Sequence, residues 1–120
     1  MGRYNELLAY KKAFELAMKI FQITKEFPSE ERYSLTDQIR RSSRSVCANI
    51  GESYRRRIYS KHFIAKLSDA QSENTETEIW LEFSKACGYI KEDQFIYLTT
   101  LNDEVSRLLS FMISNPEKFS

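Results

Sequence analysis

Little in this chain can stop a helix. Its 120 residues include three glycines and two prolines, the two residue types on which turns, bulges and strand bends most depend. Between them, apolar side chains recur at alternating spacings of three and four, the period of a helix buried along one stripe. Leu7, Tyr10, Phe14, Ala17 and Phe21, flanked by Ala13, Ile20 and Phe27, predict an amphipathic helix from Glu6 to Glu26, stopped by Pro28. Ser34-Leu35-Thr36-Asp37 has the form of a capping box. It opens a second helix with Leu35, Ile39, Ser42, Val46 and Ile50 inward and the small residues Ser43, Ser45, Ala48 and Gly51 among them. Arg55–Tyr59 reads as a bend, Ser60 as an N-cap and Gly88 as a C-cap, so a long third helix runs from Lys61 to Cys87. A fourth begins near Lys91, carries Phe95, Leu98, Leu101, Val105, Leu108 and Met112, and ends before Asn115-Pro116. Four helices, short connections and no strand pattern predict an all-α, antiparallel up-down-up-down four-helix bundle over residues 1–120 as one domain.

Charge is segregated along this frame. The formal net charge is +1. Residues 1–35 carry six basic and five acidic side chains, residues 36–66 eight and two, and residues 67–120 four and ten. Within Gln38–Arg57, "QIRRSSRSVCANIGESYRRR", six arginines fall in twenty residues. Such asymmetry implies internal pairing or two surfaces with different partners.

Both are expected here. With the second and third helices antiparallel and the bend centred near Ile58–Tyr59, Arg41 lies opposite Glu76, Arg44 opposite Glu73, Asn49 opposite Ser68, and Arg40 near Glu78. These residues are expected to form a structural polar seam, since an arginine fork can hold a carboxylate through two hydrogen bonds. On that reading "SDAQSENTETE" (residues 68–78), polar almost all round, faces a neighbour and not water. The second basic group has no acidic counterpart of its own. Arg55, Arg56, Arg57, Lys61, His62 and Lys66 cluster with Tyr59 around the bend, a combination able to contact phosphates and stack on a base. A solvated basic turn is the plain alternative.

Chemistry is not signalled. One histidine and two cysteines without CxxC spacing fall short of a zinc or di-iron set. Glu73 and Glu76 are better explained by arginines than by a metal. No Gly-rich phosphate loop or nucleophile elbow occurs, so neither an enzyme, a cofactor nor a small-molecule substrate is expected. No apolar run approaches a membrane span, no secretory leader opens the chain, and the cysteines read as reduced thiols; a cytoplasmic location is expected.

The stretch "FPSEERYSLTDQIRRSSRSVCANIGESYRRR", with the later "ENTETEIWLEFSKACGYI" and "NPEKF", resembles the family of four-helix-bundle proteins encoded in intervening sequences of bacterial 23S rRNA genes. The likeness covers nearly the whole chain and is carried by the spacing of Gln38, Arg40, Arg41, Ser45, Asn49, Ile50 and Glu52. It implies a homopentameric ring. The family is similar to the accessory protein of diversity-generating retroelements, a basic pentamer that associates with RNA and a reverse transcriptase. The resemblance therefore implies an oligomeric RNA-binding adaptor. The competing expectations are a scaffold docking an acidic protein with no nucleic acid, and a purely structural ring. The wide apolar arc Ile79, Trp80, Leu81 and Phe83 also favours an oligomer.

Overall fold

The computed structural model describes residues 2–120. Four helices account for most of it: α1 (Leu8–Thr24), α2 (Leu35–Arg55), α3 (Ser60–Ala86) and α4 (Glu92–Ser114). Single 3-10 turns at Tyr4–Glu6, Ser29–Glu31 and Pro116–Lys118 trim the ends. Helix α2 packs on α1 and α3, and α4 packs on α3 and α1, whereas the backbones of the diagonal pairs stay more than 8 Å apart. This is the square cross-section of an up-down-up-down bundle. Its extents of 44 × 25 × 21 Å are those of a short rod, and α3, 27 residues long, spans about 40 Å of it at ~1.5 Å per residue.

The helix ends show how local chemistry places the connections. Gly88 closes α3 with φ +79°. Its N–H donates to the Lys85 carbonyl and that of Tyr89 to the Ser84 carbonyl, at 3.0 and 2.9 Å, the paired bonds of a Schellman motif. The start of α2 departs from the predicted capping box. Ser34 does not cap with its side chain; its hydroxyl donates to Glu31 Oε1 at 2.6 Å, and the Leu35 N–H donates to the same oxygen at 3.3 Å. Glu31 is therefore the cap. Its other oxygen accepts from the Tyr89 hydroxyl at 2.8 Å, tying the α1–α2 connection to the α3–α4 connection.

The interior is two apolar clusters with a polar layer between them. One cluster, toward the α2–α3 turn and both termini, centres on Val46, Ile50, Phe63, Leu67, Val105 and Leu109. The other, toward the opposite end, centres on Leu16, Ile20, Ile39, Leu81 and Leu98. At the junction the Ser42 and Thr77 hydroxyls bond at 2.8 Å across α2 and α3. Asn74 and Asn102 bond reciprocally across α3 and α4: Asn74 Nδ2 donates to the Asn102 carbonyl at 3.0 Å, and Asn102 Nδ2 donates to the Asn74 carbonyl and Oδ1 at 2.9 and 3.1 Å. All four residues are buried. Burying such groups is tolerable only when they are paired.

This layer replaces the predicted arginine–carboxylate seam. Among the described residues neither Arg41 nor Arg44 has a carboxylate within 4.0 Å, and both are exposed. Two physical reasons separate prediction from structure. The register differs: Ser42 meets Thr77, not Thr75, the partner implied by an Arg41–Glu76 pairing. Facing also differs. Arg44 turns to α1, with its guanidinium 5.8 Å from the Phe21 ring. Arg40 does the same, stacking at 4.8 Å on Phe21 and donating from Nε to Thr24 Oγ1 at 2.8 Å, away from Glu78. Asn49 stays on its own helix, donating to the carbonyl and hydroxyl of Ser45 and not to Ser68. Glu76 accepts from Trp80 Nε1 at 3.2 Å. Burial, and then the Glu76 and Asp69 charges, push the Glu73 carboxyl above the usual carboxylate range, the opposite of what an arginine partner would do.

Candidate nucleic-acid interface

The basic bend forms one corner of the rod. Helix α2 ends at Arg55, and the turn closes through the Arg56 N–H on the Ser53 carbonyl and the Tyr59 N–H on the Arg56 carbonyl, at 2.9 and 2.8 Å. Arg55, Arg56, Lys61 and His62 are exposed, and none has a carboxylate within 4.0 Å among the described residues. Ile58 and Tyr59 are 69% and 59% exposed, so apolar surface lies among the cations. The Tyr59 ring meets His62 edge-on with centroids 6.1 Å apart.

Electrostatically the turn has two unlike halves. Arg55 ends α2, where the negative end of the helix dipole favours a cation. Lys61 and His62 lie in the first turn of α3, which contains no acidic residue. The Lys61 charge there opposes the positive helix end and is uncompensated locally, and an anion would satisfy both features.

Two of the six predicted residues are committed elsewhere. Arg57 lies flat on Tyr54, its guanidinium 4.2 Å from the ring, and Nη1 donates to the Tyr54 carbonyl at 2.8 Å. Lys66 pairs with Glu52 across the α2–α3 groove at 3.0 Å. The corner thus holds four free cationic or ionisable side chains: Arg55, Arg56, Lys61 and His62.

Two further surface features stand out, the first built partly from the predicted apolar arc (Trp80 and Phe83, with Leu81 turned into the core), the second not foreseen. Tyr33, Leu35, Gln38, Trp80, Phe83 and Cys87 line an apolar groove of about 420 Å³ between α2 and α3 at the far end of the rod. Tyr33 is 85% and Phe83 53% exposed. The second is a pocket of about 250 Å³ at the α1–α2 junction, where Lys25, Arg32 and Arg40 surround Thr24, Ser29 and Thr36. The sequence signal for it was weak: single basic residues scattered on either side of Pro28. Among the described residues no three His, Cys, Asp or Glu side chains converge as metal ligands would, and no helix is long and apolar enough to cross a membrane.

Fold and surface together define an antiparallel four-helix bundle with a neutral polar layer inside and an unpaired basic corner outside. The sequence model of the 23S rRNA-intervening sequence protein family matches residues 5–111, and the chain belongs to that family. Among solved structures it is similar to a protein of unknown function of the S23 ribosomal protein family from Bacteroides thetaiotaomicron VPI-5482. The two share 30% identity and a TM-score of 0.79, with 89% of this chain and 96% of that one covered. Comparison with curated proteins gave no match.

Proposed function

We propose that this chain is a non-enzymatic, oligomeric nucleic-acid-binding adaptor that contacts RNA through the α2–α3 corner. The observation that carries the reading is the set Arg55, Arg56, Lys61 and His62, exposed and without carboxylate partners, beside the exposed Tyr59. Cations with an aromatic among them suit a single strand, contacting phosphates through charge and a base through stacking. Arg57 and Lys66 have supporting roles, Arg57 fastening the turn to Tyr54 and Lys66 closing the groove on Glu52. The setting is taken to be cytoplasmic, in keeping with two cysteines that are not bridged.

Oligomerisation belongs to the same reading, with a homopentamer as the form expected from the family resemblance. The exposed Tyr33, Ile79 and Phe83 around the Trp80 groove supply apolar surface for a neighbouring subunit. A ring would then multiply weak RNA contacts through avidity. The same apolar groove also favours a second reading, a protein scaffold without nucleic acid.

The test is the triple variant Arg55→Ala, Arg56→Ala, Lys61→Ala, assayed by fluorescence anisotropy with a labelled single-stranded RNA and by light scattering. The proposal expects RNA affinity to fall at least tenfold while the particle mass stays unchanged and well above 14.2 kDa. A wild-type protein that binds no RNA at low salt, or a variant that binds as well as wild type, overturns it. A mass of one chain at micromolar concentration overturns the oligomer.

A further inference from the structure

The pocket at the α1–α2 junction has the composition of an oxyanion site. Three cations line it, Lys25, Arg32 and Arg40, together with the hydroxyl residues Thr24, Ser29 and Thr36. Glu26, Glu30 and Asp37 are close in sequence but do not line it. Among the described residues no carboxylate comes within 4.0 Å of any of the three cations.

Two of the three cations share an aromatic neighbour. Lys25 Nζ and the Arg40 guanidinium lie 4.9 and 4.8 Å from the same Phe21 ring, with Arg44 at 5.8 Å. The ring's electron-rich faces attract these cations, as the Tyr33 ring, 5.8 Å away, attracts the Arg32 guanidinium; an anion in the pocket would supply the opposite charge that its lining lacks. Arg40 is held in place: Nε donates to Thr24 Oγ1 at 2.8 Å and Nη2 to the Phe21 carbonyl at 3.4 Å, which leaves Nη1 to reach a ligand. A fixed guanidinium loses little freedom on binding.

Thr36 supplies an independent indication. It is 8% exposed and lines the pocket, yet its hydroxyl has no hydrogen-bond partner among the described residues, nor is it sealed from the cavity as the Tyr54 hydroxyl is. It is the second residue of α2, a helix of 21 residues, whose first-turn N–H groups lack intrahelical acceptors. A hydroxyl on a buried side chain, unpartnered and open to a cationic pocket beside a helix start that Glu31 already caps, has its donor free for a ligand in that pocket.

We propose that this pocket binds the phosphate group of a phosphate monoester, with Lys25, Arg32 and Arg40 taking its charge and Thr36 donating to one of its oxygens. A monoester carries nearly two negative charges and three acceptor oxygens near neutral pH, which suits three cations better than the single charge of a backbone diester. At about 250 Å³ the pocket has the space of roughly eight waters. That admits a phosphate and part of an attached sugar, and is smaller than most cavities for whole drug-sized ligands, roughly 300–1,000 Å³. The phosphate could arrive free or at the 5′ end of an RNA strand. The site stands apart from the basic corner, because Arg40 and Arg55 lie near opposite ends of α2, about 22 Å apart along the helix at ~1.5 Å per residue.

The experiment is calorimetric titration of the intact chain with inorganic phosphate replacing chloride at constant ionic strength. It is repeated with a 5′-phosphorylated oligoribonucleotide and its 5′-hydroxyl twin. Saturable binding of one phosphate per chain is expected. Lys25→Gln with Arg32→Gln, both at exposed positions that leave the fold intact by circular dichroism, should weaken it about tenfold or more. Thr36→Val should weaken it severalfold, and Arg55→Ala with Arg56→Ala should leave it unchanged, which separates this site from the corner. Competition by the 5′-phosphorylated strand but not its twin would identify a chain end as the source; absence of competition would identify free phosphate. No saturable phosphate binding, or Lys25→Gln/Arg32→Gln binding as wild type does, overturns the proposal.

Discussion

Replacing Asn102 by alanine tests whether the polar layer holds the bundle in one register. The side chain is 2% exposed, and its Nδ2 donates to both the carbonyl and Oδ1 of Asn74. Truncation removes those two bonds and leaves Asn74 Oδ1, also buried, without a donor. A buried hydrogen bond contributes about 1 kcal/mol net, and an orphaned buried acceptor costs about 1–3 kcal/mol, so the expected loss is about 2–3 kcal/mol. For 120 residues the unfolding entropy is about 0.25 kcal/mol/K, so the midpoint should fall by roughly 8–12 °C. Asn74→Ala should cost a similar amount, since it removes the donor to the Asn102 carbonyl and the Oδ1 that accepts from Asn102 Nδ2. The double variant should cost less than the two singles added, by about 1–2 kcal/mol, because removing both amides leaves neither stranded. Urea unfolding at fixed protein concentration, followed by circular dichroism, measures all four corners of the cycle. Strict additivity, or single losses under about 0.5 kcal/mol, would refute the view that the amides act as a pair.

Other outcomes follow from the helix ends and the thiols. Hydrogen bonds from Ser34, Tyr89 and the Leu35 N–H hold the Glu31 carboxyl below the usual range. Its contribution is therefore present above the unfolded carboxylate pKa and lost as pH falls through the lower folded one; Glu31→Gln should flatten that acid limb of thermal stability. The Tyr89 hydroxyl, bonded to the same carboxylate, is pushed up to about 12, so stability from this contact holds below the ordinary tyrosine range and is lost as pH rises through about 12. Gly88→Ala places a side chain at φ +79° and should destabilise by about 1–2 kcal/mol. Gly51→Ala, whose added Cβ would meet the Tyr4 ring at an ordinary 3.5 Å, should stabilise by up to about 1 kcal/mol, both read from thermal midpoints. Cys87 is exposed on the single chain, whereas burial pushes the Cys47 thiol up to about 11; a thiol reagent at pH 8 should therefore titrate two cysteines in denaturant, at most Cys87 in the native protein, and Cys87 only slowly where a neighbouring subunit covers the Trp80 groove.

How far the sequence could be read depended on distance. Each helix follows from local periodicity, and the Gly88 terminus from the one residue type that takes positive φ freely. The polar middle of α3 was legible as an interior seam, but not its chemistry. Counting from a bend sets roughly how high two residues stand on neighbouring rods and says little about which way each points. Arg44 therefore appeared opposite Glu73, although it sits over Phe21 of α1. Asn74, Thr77 and Asn102 are short side chains whose partners lie on other helices, so no local pattern announced them. The exposure of Arg55, Arg56, Lys61 and His62 was legible because a turn between two helices needs little tertiary information. The partners of Arg57 and Lys66, Tyr54 and Glu52, were not legible because they are visible only once the turn is closed.

The salt dependence of RNA binding tests the corner most directly. Each phosphate contact on a single strand contributes about 0.7 to the slope of log affinity against log salt. Wild type should show a steep fall from about 50 to 200 mM salt. Removing Arg55, Arg56 and Lys61 should flatten the slope by about 2 per bound subunit. A slope near zero, or one that the triple variant leaves unchanged, would contradict RNA contact through this corner.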